Sequence, residues 1–250
     1  MAIRRTPCQG VLNIIRFNWH FYVISLIAVI LTTMAAAYFK GFPVLYLIPG
    51  LLLAPIITSL LISFYIYDLS GLYHLNWINN TTAERLIVNI HAGFDETSLL
   101  LGNKYKHAEL RIIDFYDPQK HTEVSIKRAR KAYPLLPQTI PADADKLPIE
   151  DASADKIFVI FSAHEIRDEV ERADFIKELA RSIKPGGEIY LTEHLRDTAN
   201  FIAYNIGFLH FYTKKSWLEL FSKADLRLKQ EMKLTPFIST FIFSKDDNSF

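Results

Sequence analysis

The sequence predicts an α/β domain with a doubly wound parallel sheet, preceded by a transmembrane helical hairpin. Two observations carry this prediction. Two long uncharged runs occupy residues 19–39 and 41–67, and from residue 85 onward short β-rich runs alternate with longer helical ones. We therefore divide the chain into a hairpin anchor over residues 1–67, an interfacial linker or lid over 68–84, and an α/β domain over 85–250.

The two uncharged runs hold 21 and 27 residues and are separated by Lys40. At about 1.5 Å per helical residue, each can cross a hydrocarbon layer of about 30 Å. Buried core helices are one alternative, and a signal peptide ending near Ala35 is another. The first run is too long for a signal peptide and a second follows directly, which favours a hairpin. Pro43, Pro49 and Pro55 predict a kinked or partly re-entrant second segment.

Charge is distributed unevenly along the chain. The totals are 28 basic and 27 acidic residues, a net charge of +1, so the composition does not indicate a nucleic-acid partner. Before Asp68 the only charged side chains are Arg4, Arg5, Arg16 and Lys40. Because the arginines outnumber Lys40, the positive-inside rule places both termini in the cytosol. One cysteine excludes an internal disulfide, as expected of a reducing compartment.

The linker and the α/β region follow the hairpin. Tyr73 and Trp77 in the linker are suited to a membrane interface or to a lid over a pocket. Strands are predicted at residues 86–90, 110–114, 156–161, 188–193 and 239–243. Helices are predicted near residues 96–106, 121–133, 168–183 and 214–224.

Ligands of such sheets bind at the carboxyl ends of the strands. The turn after the first strand, NIHAGFDETS, contains one glycine, Gly93. Asp114 ends the second strand about 20 residues further on, where an acid can accept hydrogen bonds from a ribose. These two features fit a nicotinamide cofactor as well as S-adenosylmethionine, and Asp114 could instead cap a helix.

Three segments resemble the class I S-adenosylmethionine-dependent methyltransferases, especially the quinone-biosynthesis C-methyltransferases. They are IPADADKLPIEDASADKIFVIFSAHEIRD, ELARSIKPGGEIYLTEH and KKSWLELFSKADLRLKQE, and the resemblance spans roughly residues 85–245. Nicotinamide dehydrogenases do not carry these segments in this order. The resemblance implies a seven-stranded, Rossmann-like methyltransferase domain with S-adenosylmethionine as its cofactor.

The resemblance also implies roles for individual residues. Asp114 would bind the ribose hydroxyls and Asp143 the adenine amine, with Ala144 beside the ring. The loop departs from the family, however, since Asn89 stands where an acid is usual, and His91 and Asp95 replace the first and third glycines. Gly93 keeps the central glycine. A non-catalytic scaffold that has lost the cofactor is therefore a rival hypothesis.

The predicted acceptor site contains five catalytic candidates. Transfer to a hydroxyl or a carbon acid needs a base, and histidine can act as one near neutral pH. His164 with Glu165 and His194 lie in the similar sequences HEIRD and EHLRD, at the ends of two strands that should be neighbours. His210 and Tyr204 could line the same cleft. A structural hydrogen bond is the alternative role for each histidine.

No metal is predicted. His91, His164, His194, Glu165 and Glu193 could converge as ligands, but no short His-x-x-x-His spacing supports this hypothesis. The basic run KRARK at residues 127–131 is expected to be a solvated helix face or a contact for anionic head groups.

The sequence thus predicts a membrane-anchored methyltransferase whose acceptor is hydrophobic and associated with the bilayer. Candidate acceptors are a lipid, a quinone precursor, and an aryl or polyketide-derived lipid. A nicotinamide-dependent reductase is the second rival hypothesis, against which the region around Asp143 argues.

Overall fold

The computed structural model describes residues 5–79 and 82–245. Arg4 and the last five residues of the predicted α/β domain lie outside the described residues. Two long helices come first, α1 (Gln9–Tyr38) and α2 (Leu47–Phe64), and they pack against each other. They are followed by a π-helical turn, Tyr65–Leu69.

Both helices of this pair are long and apolar enough to cross a membrane. Only 6% of the residues in the most apolar stretch of each are buried, whereas the core helix of a soluble protein is mostly buried. The proline-rich second segment forms a short 3-10 turn at Pro43–Tyr46, and the α-helix after it contains Pro55. The expected pair of apolar helices is therefore present.

The remaining elements alternate between strand and helix. The strands are β1 (Leu86–His91), β2 (Glu109–Asp114), β3 (Thr139–Pro141), β4 (Ala154–Ile160), β5 (Ile183–His194), β6 (Arg227–Thr235) and β7 (Ile238–Ser244). The helices are α3 (Ser98–Lys104), α4 (Val124–Ala132), α5 (Glu169–Ser182), α6 (Thr198–Tyr204) and α7 (Lys214–Lys223).

The seven strands form one sheet in the order β3-β2-β1-β4-β5-β7-β6. β7 is antiparallel to both of its neighbours, and the other pairings are parallel. Apolar side chains cover both faces of the central strands, as a doubly wound sheet requires. The predicted Rossmann-like fold is confirmed, and its order brings the carboxyl ends of β1, β4 and β5 together.

The helix pair is joined to the sheet domain by specific contacts. Asp68 accepts hydrogen bonds from the backbone N–H groups of Gly10 and Val11, at 2.7 and 2.9 Å, and so satisfies the start of α1. Ile66 is fully buried in a cluster that includes Ile238 of β7. The amino-terminal part of α1 and the segment after α2 therefore lie against the sheet domain.

Candidate functional site

A large cavity lies at the carboxyl ends of β1, β4 and β5. Its volume is about 770 Å³. His91, His164 and His194 line its floor, and α1 and α2 extend its wall beyond the sheet. The lining side chains from these two helices include Phe21, Tyr22, Ser25, Pro55, Ile56 and Ser59.

The loop after β1 is held by its own polar side chains. Asn89 donates to Ser98 Oγ at 2.7 Å and to Thr97 Oγ1 at 3.0 Å. Asp95 accepts from the backbone N–H groups of Thr97 and Ser98, where α3 begins. Two of the predicted cofactor residues, Asn89 and Asp95, thus shape the loop that a glycine-rich sequence would otherwise form.

His91 in the same loop presents an unsatisfied donor. Its Nδ1 accepts from the Gly93 N–H at 3.2 Å, so the neutral ring carries its proton on Nε2. Burial lowers the pKa of His91 more than the nearby Asp95 and Asp114 raise it, which keeps the ring neutral. Within the described residues, the buried Nε2 has no hydrogen-bond partner. Because His91 lines the cavity, this N–H is available to a ligand.

Asp114 ends β2 as predicted, but its carboxylate is already paired. Arg130 of α4 donates to Oδ2 at 2.5 Å, and His91 Nδ1 lies 3.5 Å from Oδ1. The guanidinium group of Arg130 also lies over the ring of Tyr116. Gly93, at φ +87°, faces this pair so closely that a Cβ would lie 2.9 Å from the Tyr116 ring. The Asp114 carboxylate is therefore covered by Arg130, whose guanidinium group packs on Tyr116.

Of the seven predicted cofactor residues only His91 lines the cavity, and Asp143 and Ala144 lie away from the loop after β1. Ala144 is buried and packs with the core, whereas Asp143 is exposed. Asp143 forms a bridge with Lys146 in the turn between β3 and β4. The structure thus brings Asn89, His91, Gly93 and Asp95 together in one loop and places Asp114 behind it.

His164 and Glu165, which follow β4, converge with His210 in the lining of the cavity. His164 Nδ1 donates to the buried Glu193 Oε2 at 2.6 Å, and its Nε2 lies 3.4 Å from Glu165 Oε1. His210 Nε2 lies 3.9 Å from the same Glu165 oxygen. Burial alone would lower the pKa of His164, but the carboxylates of Glu193 and Glu165 outweigh it and raise the pKa to about 10.

His194 has a different environment, although its sequence context is similar. Its Nδ1–H donates to Asn200 Oδ1 at 3.0 Å, and its Nε2 accepts from the Tyr67 hydroxyl at 2.8 Å. Burial lowers the pKa of His194 to about 4, so the ring is neutral. Tyr204 packs edge-on against this ring, and burial raises the pKa of Tyr204 to about 12. His194 and Tyr204 are thus uncharged parts of the cavity wall.

Comparisons with known proteins identify the α/β region. Residues 100–191, which run from α3 to β5, match the family described as a methyltransferase domain. This part of the α/β region is therefore similar to a methyltransferase domain. S-adenosylmethionine is the cofactor that this match indicates. No curated protein matches the sequence.

Solved structures show the same fold as this methyltransferase domain. A putative methyltransferase of Haloferax volcanii, solved with a methyltransferase activator, has a TM-score of 0.51 at 15% identity, covering 71% of this chain and 89% of that one. A Pyrococcus horikoshii protein has a TM-score of 0.50 at 16% identity, covering 71% and 88%. Human N-acetylserotonin methyltransferase, in complex with S-adenosylmethionine, has a TM-score of 0.50 at 15% identity, covering 77% and 56%.

The residues of this methyltransferase domain fit its cofactor once Arg130 moves. The unsatisfied Nε2–H of His91 and the left-handed Gly93 offer a polar group and a close backbone approach. Asp114 offers a carboxylate that can accept more than the bonds it now makes. The Arg130 side chain is 31% exposed, so it can turn toward solvent and uncover Asp114.

Several residues of the site were not among the predicted catalytic or cofactor-binding residues, although Glu193 was considered as a metal ligand. Glu193 orients His164 from behind, and Tyr67 at the end of the helix pair contacts His194. Glu96 accepts from Arg5 and from the Tyr73 hydroxyl, both at 2.7 Å, and so ties the loop after β1 to the helix pair. Glu193 precedes His194 at the end of the predicted strand EIYLTEH, and this position could have indicated that Glu193 lies at the sheet edge. The contacts of Tyr67 and Glu96 join segments far apart in sequence.

Proposed function

We propose that this protein is a membrane-anchored, S-adenosylmethionine-dependent methyltransferase that acts on a hydrophobic acceptor drawn from the bilayer. The observation that carries the proposal is the shape of the cavity. It extends from the sheet edge, at His91 and His164, to the facing surfaces of α1 and α2, at Ser25 and Ile56. An acceptor dissolved in the bilayer could therefore reach the site without crossing water.

The surface of the helix pair supports the membrane part of this proposal. Large apolar side chains are exposed along both helices, a pattern that a water-soluble surface of this size rarely shows. They include Ile24, Leu31, Met34, Leu51 and Leu61, each at least 60% exposed. The arginine bias then favours cytosolic termini, where a reporter fused after Phe250 should be found. An external reporter would contradict this orientation.

The chemistry of the proposed reaction rests on His164. Bound S-adenosylmethionine supplies an electrophilic methyl group, and a hydroxyl or activated carbon of the acceptor must lose a proton as it attacks. His164 can take this proton at Nε2 only after it has lost its own proton to solvent, because Glu193 and Glu165 stabilise the imidazolium and raise the pKa of the ring to about 10. His91 and Asp114 are proposed to hold the cofactor.

We propose three acceptor classes: a lipid, a quinone precursor, and an aryl or polyketide-derived lipid. The quinone precursor agrees with the family branch that the sequence resembles.

A pair of tryptophan variants tests the route of entry. Ile56 lines the cavity, whereas its neighbour Ile57 is 49% exposed and points elsewhere. In vesicles containing extracted membrane lipid and methyl-labelled S-adenosylmethionine, the unaltered protein should transfer label to the lipid fraction. Ile56→Trp should reduce this transfer at least about tenfold, because a misplaced or blocked acceptor raises the barrier by more than about 1.4 kcal/mol.

The matched control is Ile57→Trp, which should retain the rate of the unaltered protein. Equal rates in the two variants would exclude entry between the helices. Label that appears only in water-soluble acceptors would overturn the proposed substrate class. Absence of both cofactor binding and methyl transfer would favour the scaffold hypothesis.

A further inference from the structure

The cluster of His164, Glu165 and His210 has the arrangement of a metal site. One potential ligand atom from each of the three residues lies within 4.8 Å of the others. Four ligands held about 2.1 Å from a zinc ion lie about 3.4 Å apart in a tetrahedron. The 3.4 Å between His164 Nε2 and Glu165 Oε1 matches this separation, and the 3.9 Å from Glu165 Oε1 to His210 Nε2 requires a small adjustment.

The types of ligand atom, and the carboxylates that orient the two histidines, also suit a metal. Two imidazoles and one carboxylate form the set of many catalytic zinc sites and of non-haem iron sites. Metal-bound histidines typically donate their second ring N–H to a carboxylate, which fixes the ring. His164 does so to Glu193, at 2.6 Å, and this carboxylate is fully buried. Glu123 lies 3.0 Å from His210 Nδ1 and gives the second histidine a similar partner.

The charge of the cluster can balance a divalent cation when both imidazoles are deprotonated, as metal binding requires. Glu123, Glu165 and Glu193 supply three negative charges, and Arg167, which contacts the His210 ring and lies 3.7 Å from Glu123, supplies one positive charge. With both imidazoles neutral, the sum is −2. A divalent cation would balance this charge. Arg167 must withdraw from His210 to admit the ion, and its side chain is 40% exposed.

We propose that His164, Glu165 and His210 bind a divalent transition-metal cation, with Glu193 orienting His164. Because all three residues line the cavity, a further coordination position would face the acceptor. There the ion, which would occupy His164 Nε2 and so replace this nitrogen as the group that activates the acceptor, could polarise an acceptor oxygen and favour loss of its proton to solvent. The proposed site does not depend on the identity of the acceptor.

Calorimetry with zinc tests this site directly. The full chain is purified in detergent without a histidine tag, treated with a chelator and titrated with Zn²⁺. We expect a saturable isotherm with one equivalent bound. His164→Ala and His210→Ala should each weaken binding at least about tenfold, and Glu193→Gln should weaken it by about tenfold to a hundredfold.

The matched control is His107→Ala. His107 is another histidine close to a glutamate, Glu84, at 3.5 Å, but it lies outside the cluster. Its loss should leave zinc affinity unchanged. Absence of saturable binding, or equal affinities in His164→Ala and His107→Ala, would overturn the proposal.

Cobalt absorption gives a measurement that does not depend on the folding of any variant. Co²⁺ added to the unaltered protein should produce the intense visible bands of a four- or five-coordinate site, and one equivalent of Zn²⁺ should remove them. A spectrum identical to that of aqueous Co²⁺ would contradict the proposed site.

Discussion

At the scale of single residues, the surroundings of a histidine decide its chemistry. Within residues 5–79 and 82–245, His194 forms no hydrogen bond with an acidic side chain, and its ring stacks with the aromatic rings of Phe161 and Phe211. His164 has two carboxylates close to its ring nitrogens. Burial therefore lowers the pKa of His194, while the carboxylates raise that of His164.

The lowered pKa of His194 predicts a loss of stability in acid. The pKa is about 4 in the folded protein and about 6.5 in an unfolded chain. Between these values the unfolded chain binds a proton that the folded protein does not, so stability falls as the pH decreases from 6.5 to 4. The full loss is on the order of 3 kcal/mol. His164 does not oppose this trend. Because its pKa is raised, its contribution to the free energy of unfolding is fully present, and constant, below pH 6.5.

Thermal unfolding in detergent at pH 7 and pH 5 measures this effect. From pH 7 to pH 5, the Tm of the unaltered protein should decrease by more than the Tm of His194→Gln. The exposed-histidine control, His107→Gln, should behave as the unaltered protein. An equal loss in the unaltered protein and His194→Gln would show that His194 is not the titrating group.

Sequence motifs located these residues without revealing their roles. HEIRD and EHLRD correctly indicate two sheet ends that face one cavity, and their final residues, Asp168 and Asp197, cap α5 and α6. The similar sequences suggest that His164 and His194 have the same role. The difference arises from Glu193 and Tyr67, which approach through tertiary contacts that spacing along the chain does not contain.

At the scale of elements, close packing joins α1 to the segment after α2. A Cβ added at Gly10 would lie 2.3 Å from the Cβ of Tyr67 and 3.0 Å from a carboxylate oxygen of Asp68. These residues contact His194 and the start of α1 respectively. The position of the helix pair is therefore coupled to the cavity at this crossing.

Gly10→Ala should consequently lower both Tm and methyl transfer. Overpacking of this kind typically lowers the free energy of unfolding by about 1–3 kcal/mol. Gly50 of α2 has nothing within 4 Å of its Cβ position, and Gly50→Ala provides the control. Because alanine favours a helix more than glycine, Gly50→Ala should keep or raise the Tm. Thermal unfolding of the two variants checks the prediction, and equal Tm values would contradict the close crossing.

The strands that the sequence predicts are those with strongly apolar runs. β1, β4 and β5 are buried in the centre of the sheet, and their positions agree with the prediction within a few residues. β3 has three residues, one of them a proline, and gives no such signal. β6 forms an edge of the sheet, and its sequence, RLKQEMKLT, is mostly polar because most of its side chains face solvent. α6 is too short to show a helical period.

At the scale of the whole molecule, one cavity unites the methyltransferase domain with the helix pair. The domain supplies His91 and His164, and α1 and α2 supply a largely apolar extension of the wall. Hydropathy predicts the helix pair, and the sequence motifs predict the α/β domain. How they meet depends on contacts such as those of Glu96 with Arg5 and Tyr73, which no local pattern encodes.

Cofactor binding by the full chain tests the central claim most directly. Calorimetry of the protein in detergent should show one S-adenosylmethionine bound. Asp114→Ala should weaken this binding about tenfold to a hundredfold, because hydrogen bonds to a charged acceptor contribute about 1.5–3 kcal/mol. Asp143→Ala should weaken it less, and the exposed neighbour Asp145 provides the control, Asp145→Ala. No binding by the unaltered protein, or an affinity that Asp114→Ala leaves unchanged, would contradict the account.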